Sequence, residues 1–330
     1  MADTVNLGVV VIGRNEGERL ERCLESVRHA GCPVVYVDSG SSDDSVRMAR
    51  SRGVETVALA PPFSAAKARN EGFQRLLAQH RDIRFVLFLD GDCTLLPGWI
   101  DAGVRALTED SRRAAVFGIV LERNAQASIY NRLCDIEWRY AAGDLADCGY
   151  LGGRSMMRAA VFRELGGFRP EMIAGEDAEL GVRIGLAGYK VTSIACPMAT
   201  HDADMHRFGQ WWRRAVRSGH AIGQRCDLHG RSAARDCVRE RGSTVFWGIA
   251  LPLGILLSAL ATQGASLLLL AAYPLLGIRV WRHRRSAGDG PGDAALYAIF
   301  VLIGKFANAA GLLTFFVNKS AGRYQLIEYK

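Results

Sequence analysis

The sequence predicts an α/β protein: a nucleotide-binding parallel sheet over residues 1–205, followed by helices apolar enough to cross a membrane. Three observations carry this. Strand, polar loop and helix alternate from Leu7 onward, which is the βαβ rhythm of a parallel sheet. An apolar run at residues 85–89 stops abruptly on Asp90, Gly91 and Asp92. Long uncharged stretches dominate the chain after residue 243.

The second observation bears most directly on function. An apolar run of this length reads as a strand buried on both faces, and open α/β sheets put their ligands at the carboxyl ends of such strands. Two carboxylates two residues apart can share one hard divalent cation, which takes several oxygens and keeps positions for a phosphate. Gly91 between them lets a ligand approach the backbone closely. A second Asp-x-Asp pair, Asp202 and Asp204, lacks such a strand in front of it.

The net charge of +7 does not point to nucleic acid, because Lys and Arg cluster in residues 207–241 and 279–285, beside the apolar runs. That placement favours an anionic membrane surface. The eight cysteines show no Cys-x-x-Cys spacing, so reduced thiols in a cytosolic compartment are expected. Residues 1–6 lack a basic segment followed by an apolar core, and no secretory signal is expected.

In order, a first strand at residues 9–12 leads through the polar turn Gly13, Arg14, Asn15, Glu16 and Gly17 into a helix over residues 18–29. Leu20, Cys23, Leu24 and Val27 lie on one face of that helix, the spacing of a helix docked on a sheet. A second strand, residues 34–37, ends at Asp38, and Ser39 to Asp43 supply capping residues for the next helix. Neither the Gly-x-Gly-x-x-Gly fingerprint nor a Gly-Lys-Ser/Thr loop is present, so a nucleotide must be held differently. A short third strand at residues 54–59 precedes a helix over residues 64–79 with Lys67, Arg69 and Asn70 near its start. Cations there oppose the helix dipole, which points to a bound anion, the alternative being a solvated basic face.

Arg14, Asn15 and Glu16; Asp38 with Gly40, Ser41, Ser42 and Asp43; Ala68, Arg69, Asn70 and Gly72; and Asp90, Gly91 and Asp92 together resemble the family 2 glycosyltransferases. The resemblance implies the GT-A fold, a Rossmann-like mixed sheet. It implies that Gly13, Arg14, Asn15, Glu16, Asp38 and Ser39 hold the base and ribose of a UDP- or GDP-sugar, although many members carry a second acid where this chain has Ser39. Arg69, beside Asn70, would reach the donor phosphates, and Asp90 and Asp92 would bring in Mg2+ or Mn2+. The glycine-rich stretch around Gly149, Gly152 and Gly153, through Phe168, matches the part of the family that backs the donor sugar.

A helix at residues 98–107, a strand at 115–121 and a helix at 128–142 follow, with Trp138 either core or pocket lining. Glu176 and Asp177 open another helix, where acids first of all complement the dipole. By resemblance this acidic pair contains the general base, assigned to Asp177 with Glu176 beside it. Residues 190–194 read as the domain's last strand. His201, Asp202, Asp204 and His206 beyond it lack the spacing of a structural zinc site. In the family a histidine at this point adds a third metal ligand, so His201 joins Asp90 and Asp92. Gln210, Trp211, Trp212 and Arg213 resemble a Gln-x-x-Arg-Trp element on the acceptor and phosphate side. Arg214 stands where that Trp is expected, which counts against processive synthesis. The same helix, within an interfacial segment at residues 206–242, could lie on headgroups with its tryptophans at the boundary.

Residues 243–330 read as about three membrane helices, 245–262, 265–281 and 294–317, with Pro252 and Pro274 as kinks. Lys305 in the third should face protein or a lipid phosphate rather than lipid tails, or snorkel, since a mid-membrane lysine costs roughly 3 kcal/mol. Basic stretches at 231–241 and 279–285 put the catalytic domain on the cytosolic face of the inner or cytoplasmic membrane. The resemblance and the helices together imply a metal-dependent, inverting enzyme with a lipid or lipid-linked acceptor. The rivals are processive polysaccharide synthesis, a sugar nucleotidyltransferase, for which Gly13 to Gly17 is the wrong loop, and an inactive membrane scaffold.

Overall fold

The computed structural model describes residues 6–28, 30–139, 142–145 and 148–322. The chain divides into two compact units, residues 1–123 with 138–203 and residues 124–137 with 204–330.

The first unit runs β1 (Leu7–Gly13), α1 (Glu18–Arg28), β2 (Val34–Asp38), α2 (Ser45–Ser51), β3 (Glu55–Ala58), α3 (Ala65–Gln79), β4 (Phe85–Asp90), β5 (Cys93–Leu95), α4 (Trp99–Glu109) and β6 (Arg113–Glu122). After α5 (Ile129–Glu137), which belongs to the second unit, come β7 (Gly143–Asp144), β8 (Ser155–Arg158), α6 (Ala159–Glu164), α7 (Glu176–Leu186) and β9 (Lys190–His201). The strands form one mixed sheet in the order β3-β2-β1-β4-β8-β6-β9-β5, with β7 beside β9. Strands β1 to β4 are parallel; β1, β2 and β4 are buried and apolar up to the acids that end β2 and β4, whereas β3, at the edge, carries Glu55 and Thr56 and is only half-buried. Their register places Gly13 opposite Asp38 and Ile12 opposite Asp90, so three carboxyl ends, with their loops, come out at one edge.

Three short strands escape a reading by periodicity: β5, β7 and β8. β8 is antiparallel to both β4 and β6, inserted between them directly after the glycine cluster. β9 is also longer than expected. It continues seven residues past Ile194 to His201, because a bulge opposite Phe117 to Ile119 absorbs the irregularity and seats Pro197 within the strand. The helix expected over 128–142 ends at Glu137; Tyr140 and Ala141 lie outside the described residues.

The second unit holds α5, α8 (Phe208–His229), α9 (Val238–Val245), α10 (Leu251–Ser258), α11 (Ala272–Ser286) and α12 (Pro291–Ala321). Residues 124–137 belong here because Arg132 makes a two-pronged ion pair with Asp293 at 2.9 and 2.6 Å, and Glu137 meets Arg214 at 2.8 Å. A π turn, Phe246–Ala250, joins α9 to α10 just ahead of Pro252, whose ring would otherwise press on the carbonyl four residues back. Pro274 falls in the first turn of α11, directly after the 3-10 turns of Ala265–Ala271. Three stretches, Val238–Ser258, Ala265–Ser286 and Pro291–Ala321, are long and apolar enough to cross a membrane. Leu260, at the turn between the first two, is 94% exposed, and Leu257 at the end of α10 is nearly as bare.

Helix α8 lies along α12 rather than standing alone. Close approach depends on glycines: a Cβ at Gly311 would fall 1.9 Å from the Val216 carbonyl oxygen, and one at Gly219 would fall 2.1 Å from that of Asn308. Gly311→Ala is therefore expected to lower the melting temperature of the detergent-solubilised protein by several degrees, with a cost of about 1–3 kcal/mol. Gly254→Ala, where a Cβ meets nothing within 4 Å, serves as the control and should not.

Candidate active site

The donor-side loops are braced mainly by their own side chains. Asp38 is 3% exposed. Its Oδ2 accepts from the Gly40 and Ser41 amides at 3.0 and 2.8 Å, and its Oδ1 from the Tyr36 and Ser41 hydroxyls at 2.8 and 2.5 Å. Asn15, at a positive φ of 55°, ties the first loop to the second: its amide donates to Ser41 Oγ at 2.9 Å and its Oδ1 accepts from the Ser42 amide at 2.8 Å. The Arg14 guanidinium lies 5.7 Å from the centre of the Phe63 ring. Glu16 is paired with Arg19 at 2.9 Å, and Ser39 donates its amide to the Gly13 carbonyl at 3.0 Å.

Arg69 occupies the centre. Ser64 caps α3, and one turn on, Arg69 is buried to 3% exposure with Nη2 2.8 Å from Asp90 Oδ1 and Nη1 2.5 Å from Glu176 Oε1. The anion that a cation early in α3 foretold is, in this structure, a pair of protein carboxylates. Burial alone would weaken the guanidinium's hold on its proton, but Asp90, Glu176 and Asp177 outweigh that and raise its pKa above the ordinary value. Gly153 is required by this arrangement, since a Cβ there would come within 2.3 Å of Arg69 Nη2. Asn70 grips the backbone of Phe168 twice, donating at 2.7 Å and accepting at 2.9 Å, and so fixes the turn that presents Phe168 beneath Arg69.

The acidic pair heads α7 after Gly175, which takes the left-handed conformation (φ 70°). Glu176 is committed to Arg69, whereas the half-buried Asp177 accepts its neighbour Ala178's amide at 2.7 Å. Because one guanidinium touches both Asp90 and Glu176, the Asp-x-Asp pair and the acidic pair share one site.

The longer β9 places His201. β9 pairs with β5 so that Cys93 faces His201, and with β6 so that Glu122 faces His201. His201 Nε2 lies 3.4 Å from Asp92 Oδ2, and Nδ1 lies 3.4 Å from Glu122 Oε2. Ligand atoms of Asp92, Cys93 and His201 fall within 4.8 Å of one another. A buried carboxylate and an imidazole whose second nitrogen rests on another carboxylate form a donor set that fits a divalent cation. Asp90 is not in that group; its oxygens face Arg69 and, at 3.7 Å, Arg154. Glu122 and Arg154 were not singled out from the sequence: Glu122 is one acid at a strand end, and Arg154 sits among glycines.

The residues expected on the acceptor side belong to the second unit. Gln210 closes the α8 capping box, its Oε1 accepting from the His206 and Arg207 amides at 2.9 and 3.0 Å. Trp211 is buried edge-on against Phe300 at 4.7 Å, which makes it packing, and Trp212 meets Phe208 at 5.8 Å. Arg213 is exposed and lines a cavity of about 730 Å³ with Asp204, His206, Arg207, Gly209 and Gln210. Lys305 donates to Ser243 Oγ at 2.9 Å, so its ammonium is met by protein. Asp204 and His206 pair with each other at 3.1 Å.

Residues 8–166 match the model of the family described as Glycosyl transferase family 2. A pre-mycofactocin glycosyltransferase of Mycobacterium tuberculosis is 30% identical over 298 residues, covering 84% of this chain and 58% of the relative. The chain thus spans a little over half the length of that curated relative. Glycosyltransferase AglE of Haloferax volcanii is 24% identical over 228 residues, covering 64% of this chain and 71% of its own. A mannosyltransferase from Pyrobaculum calidifontis, solved with GDP-Man and Mn2+, shares the fold with a TM-score of 0.60 at 18% identity, over 95% of this chain and 88% of that one.

Proposed function

Because residues 8–166 make this chain a member of glycosyl transferase family 2, we propose that it transfers a sugar from a UDP- or GDP-sugar to a lipid or lipid-linked glycan, inverting the anomeric carbon. The observation that carries the reading is Arg69, which joins Asp90 to Glu176 and thereby holds the Asp-x-Asp pair and the acids of α7 in one site. Asp177 takes the proton from the acceptor hydroxyl as its oxygen bonds to the anomeric carbon. The bond from that carbon to the diphosphate oxygen breaks in line, and the electron pair leaves with the nucleoside diphosphate. A Mg2+ or Mn2+ ion held by Asp92 and His201 would neutralise the departing diphosphate. Glu122, 3.4 Å from Nδ1, would leave Nε2 of His201 as the nitrogen available to a cation. Glu122→Gln is accordingly expected to weaken Mn2+ binding about tenfold to a hundredfold, and an unchanged affinity by calorimetry would remove that role.

The lipid acceptor is supported by the three membrane-length helices and by the cationic groove of Arg207 and Arg213, which suits a lipid phosphate. The basic stretches beside those helices favour the cytosolic face of the cytoplasmic membrane, where nucleotide-sugars reside. The test is to incubate the protein in lipid with labelled UDP- and GDP-sugars, Mn2+ and membrane extract. Label moving into the organic phase supports a lipid acceptor; label transferred only to soluble glycan contradicts it.

A further inference from the structure

Arg154 has no part in the reading above, yet it reaches the centre of the site. It directly precedes β8, and its largely buried side chain puts Nη1 3.7 Å from Asp90 Oδ2 and 3.9 Å from Cys93 Sγ. The guanidinium lies 5.1 Å from the centre of the Trp138 ring, and that ring meets His201 edge-on at 4.4 Å. Asp90 is therefore held from both sides, Oδ1 by Arg69 and Oδ2 by Arg154, while Asp92 turns to His201. The two acids of the Asp-x-Asp pair do different work: one faces two guanidinium groups and the other faces the candidate metal donors.

We propose that Arg154 is a diphosphate-binding residue which, before the donor arrives, acts as counter-ion to Asp90, so that a divalent cation binds weakly to the free protein and tightly only together with the nucleotide. The diphosphate half of this rests on the nucleotide-sugar reading. Asp90, Asp92, Glu122, Glu176 and Asp177 are acids gathered here, and Arg69 and Arg154 offset two of their charges. A divalent cation arriving alone still meets net negative charge, but Arg154, 3.7 Å from Asp90 Oδ2 and 3.9 Å from Cys93 Sγ, cancels part of that attraction in a poorly solvated site, where each charge counts strongly. A nucleoside diphosphate draws the guanidinium groups to itself and adds oxygens for the cation, so the cation's hold on the site strengthens. Arg154 suits this task better than a lysine would. Its planar fork can bind two phosphate oxygens at once, and stacking on Trp138 keeps the fork aimed without fixing it to Asp90.

The experiment measures Mn2+ binding by the loss of the free-ion electron paramagnetic resonance signal, in wild type and Arg154→Gln, without nucleotide. It then measures UDP and GDP binding at saturating Mn2+. Arg154→Gln should bind Mn2+ alone about tenfold more tightly and the better nucleotide about tenfold more weakly. Opposite shifts are the signature, since a merely structural role would weaken both. Mn2+ affinity unchanged or reduced in Arg154→Gln overturns the counter-ion role, and unchanged nucleotide affinity overturns the diphosphate role. Arg154→Lys keeps the charge and loses the fork, so Mn2+ affinity should stay at the wild-type value while nucleotide affinity falls. If Arg154→Gln does not fold, undiminished nucleotide affinity in Arg154→Lys overturns the proposal. Wild-type protein that binds neither UDP nor GDP with Mn2+ removes the nucleotide-sugar reading and the diphosphate role together, while the Mn2+ comparison still decides the counter-ion role.

Discussion

Asp177→Asn is expected to lower kcat about a thousandfold while leaving the Kd for the nucleotide-sugar unchanged. The amide keeps the shape and can still accept the Ala178 amide at the head of α7, so the helix start survives, but it cannot take a proton from an incoming hydroxyl. Glu176 cannot substitute, because its carboxylate is already engaged with Arg69 at 2.5 Å. Single-turnover transfer with the donor pre-bound is the measurement. Full turnover would move the base elsewhere, and a lost donor Kd would mean that Asp177 holds the donor instead.

Arg69→Met is expected to destabilise the first unit by about 3–5 kcal/mol, because it leaves the buried Glu176 without its cation and Asp90 with only Arg154 at 3.7 Å. Methionine fills much of the space, so the penalty is electrostatic rather than a cavity. Adding Glu176→Gln should then recover part of the loss by removing one stranded charge. Thermal unfolding of the two variants and the double variant gives the comparison. If the double variant is no more stable than Arg69→Met, packing rather than charge is what Arg69 contributes, most directly through Phe168, 5.5 Å below the guanidinium.

Several side chains that resemble site residues act as supports for the site. Asp38 is spent on its own loop, Asn70 on the Phe168 backbone and Gln210 on the start of α8. Gly153 is a glycine because Arg69 needs the volume. Residue type and spacing are the same whether a carboxylate or amide faces a ligand or closes a turn. The difference lies in donors brought in from elsewhere, as with Asn70 and Phe168.

The sequence by itself determined the parallel half of the sheet, the apolar strand ending on Asp90 and Asp92, the acids at the head of α7 and the membrane-length helices. Each of these is written in a local period or an abrupt change of polarity, and burial enforces that pattern residue by residue. Only the tertiary structure decided that β9 runs on to His201, that β5 and β6 bring Cys93 and Glu122 alongside it, and that Arg69 and Arg154 divide Asp90 between them. Those partners are 21 to 108 residues apart in the chain. The free energy that selects them comes from pairing buried charges and strand edges across the fold, which leaves no periodic trace in the sequence.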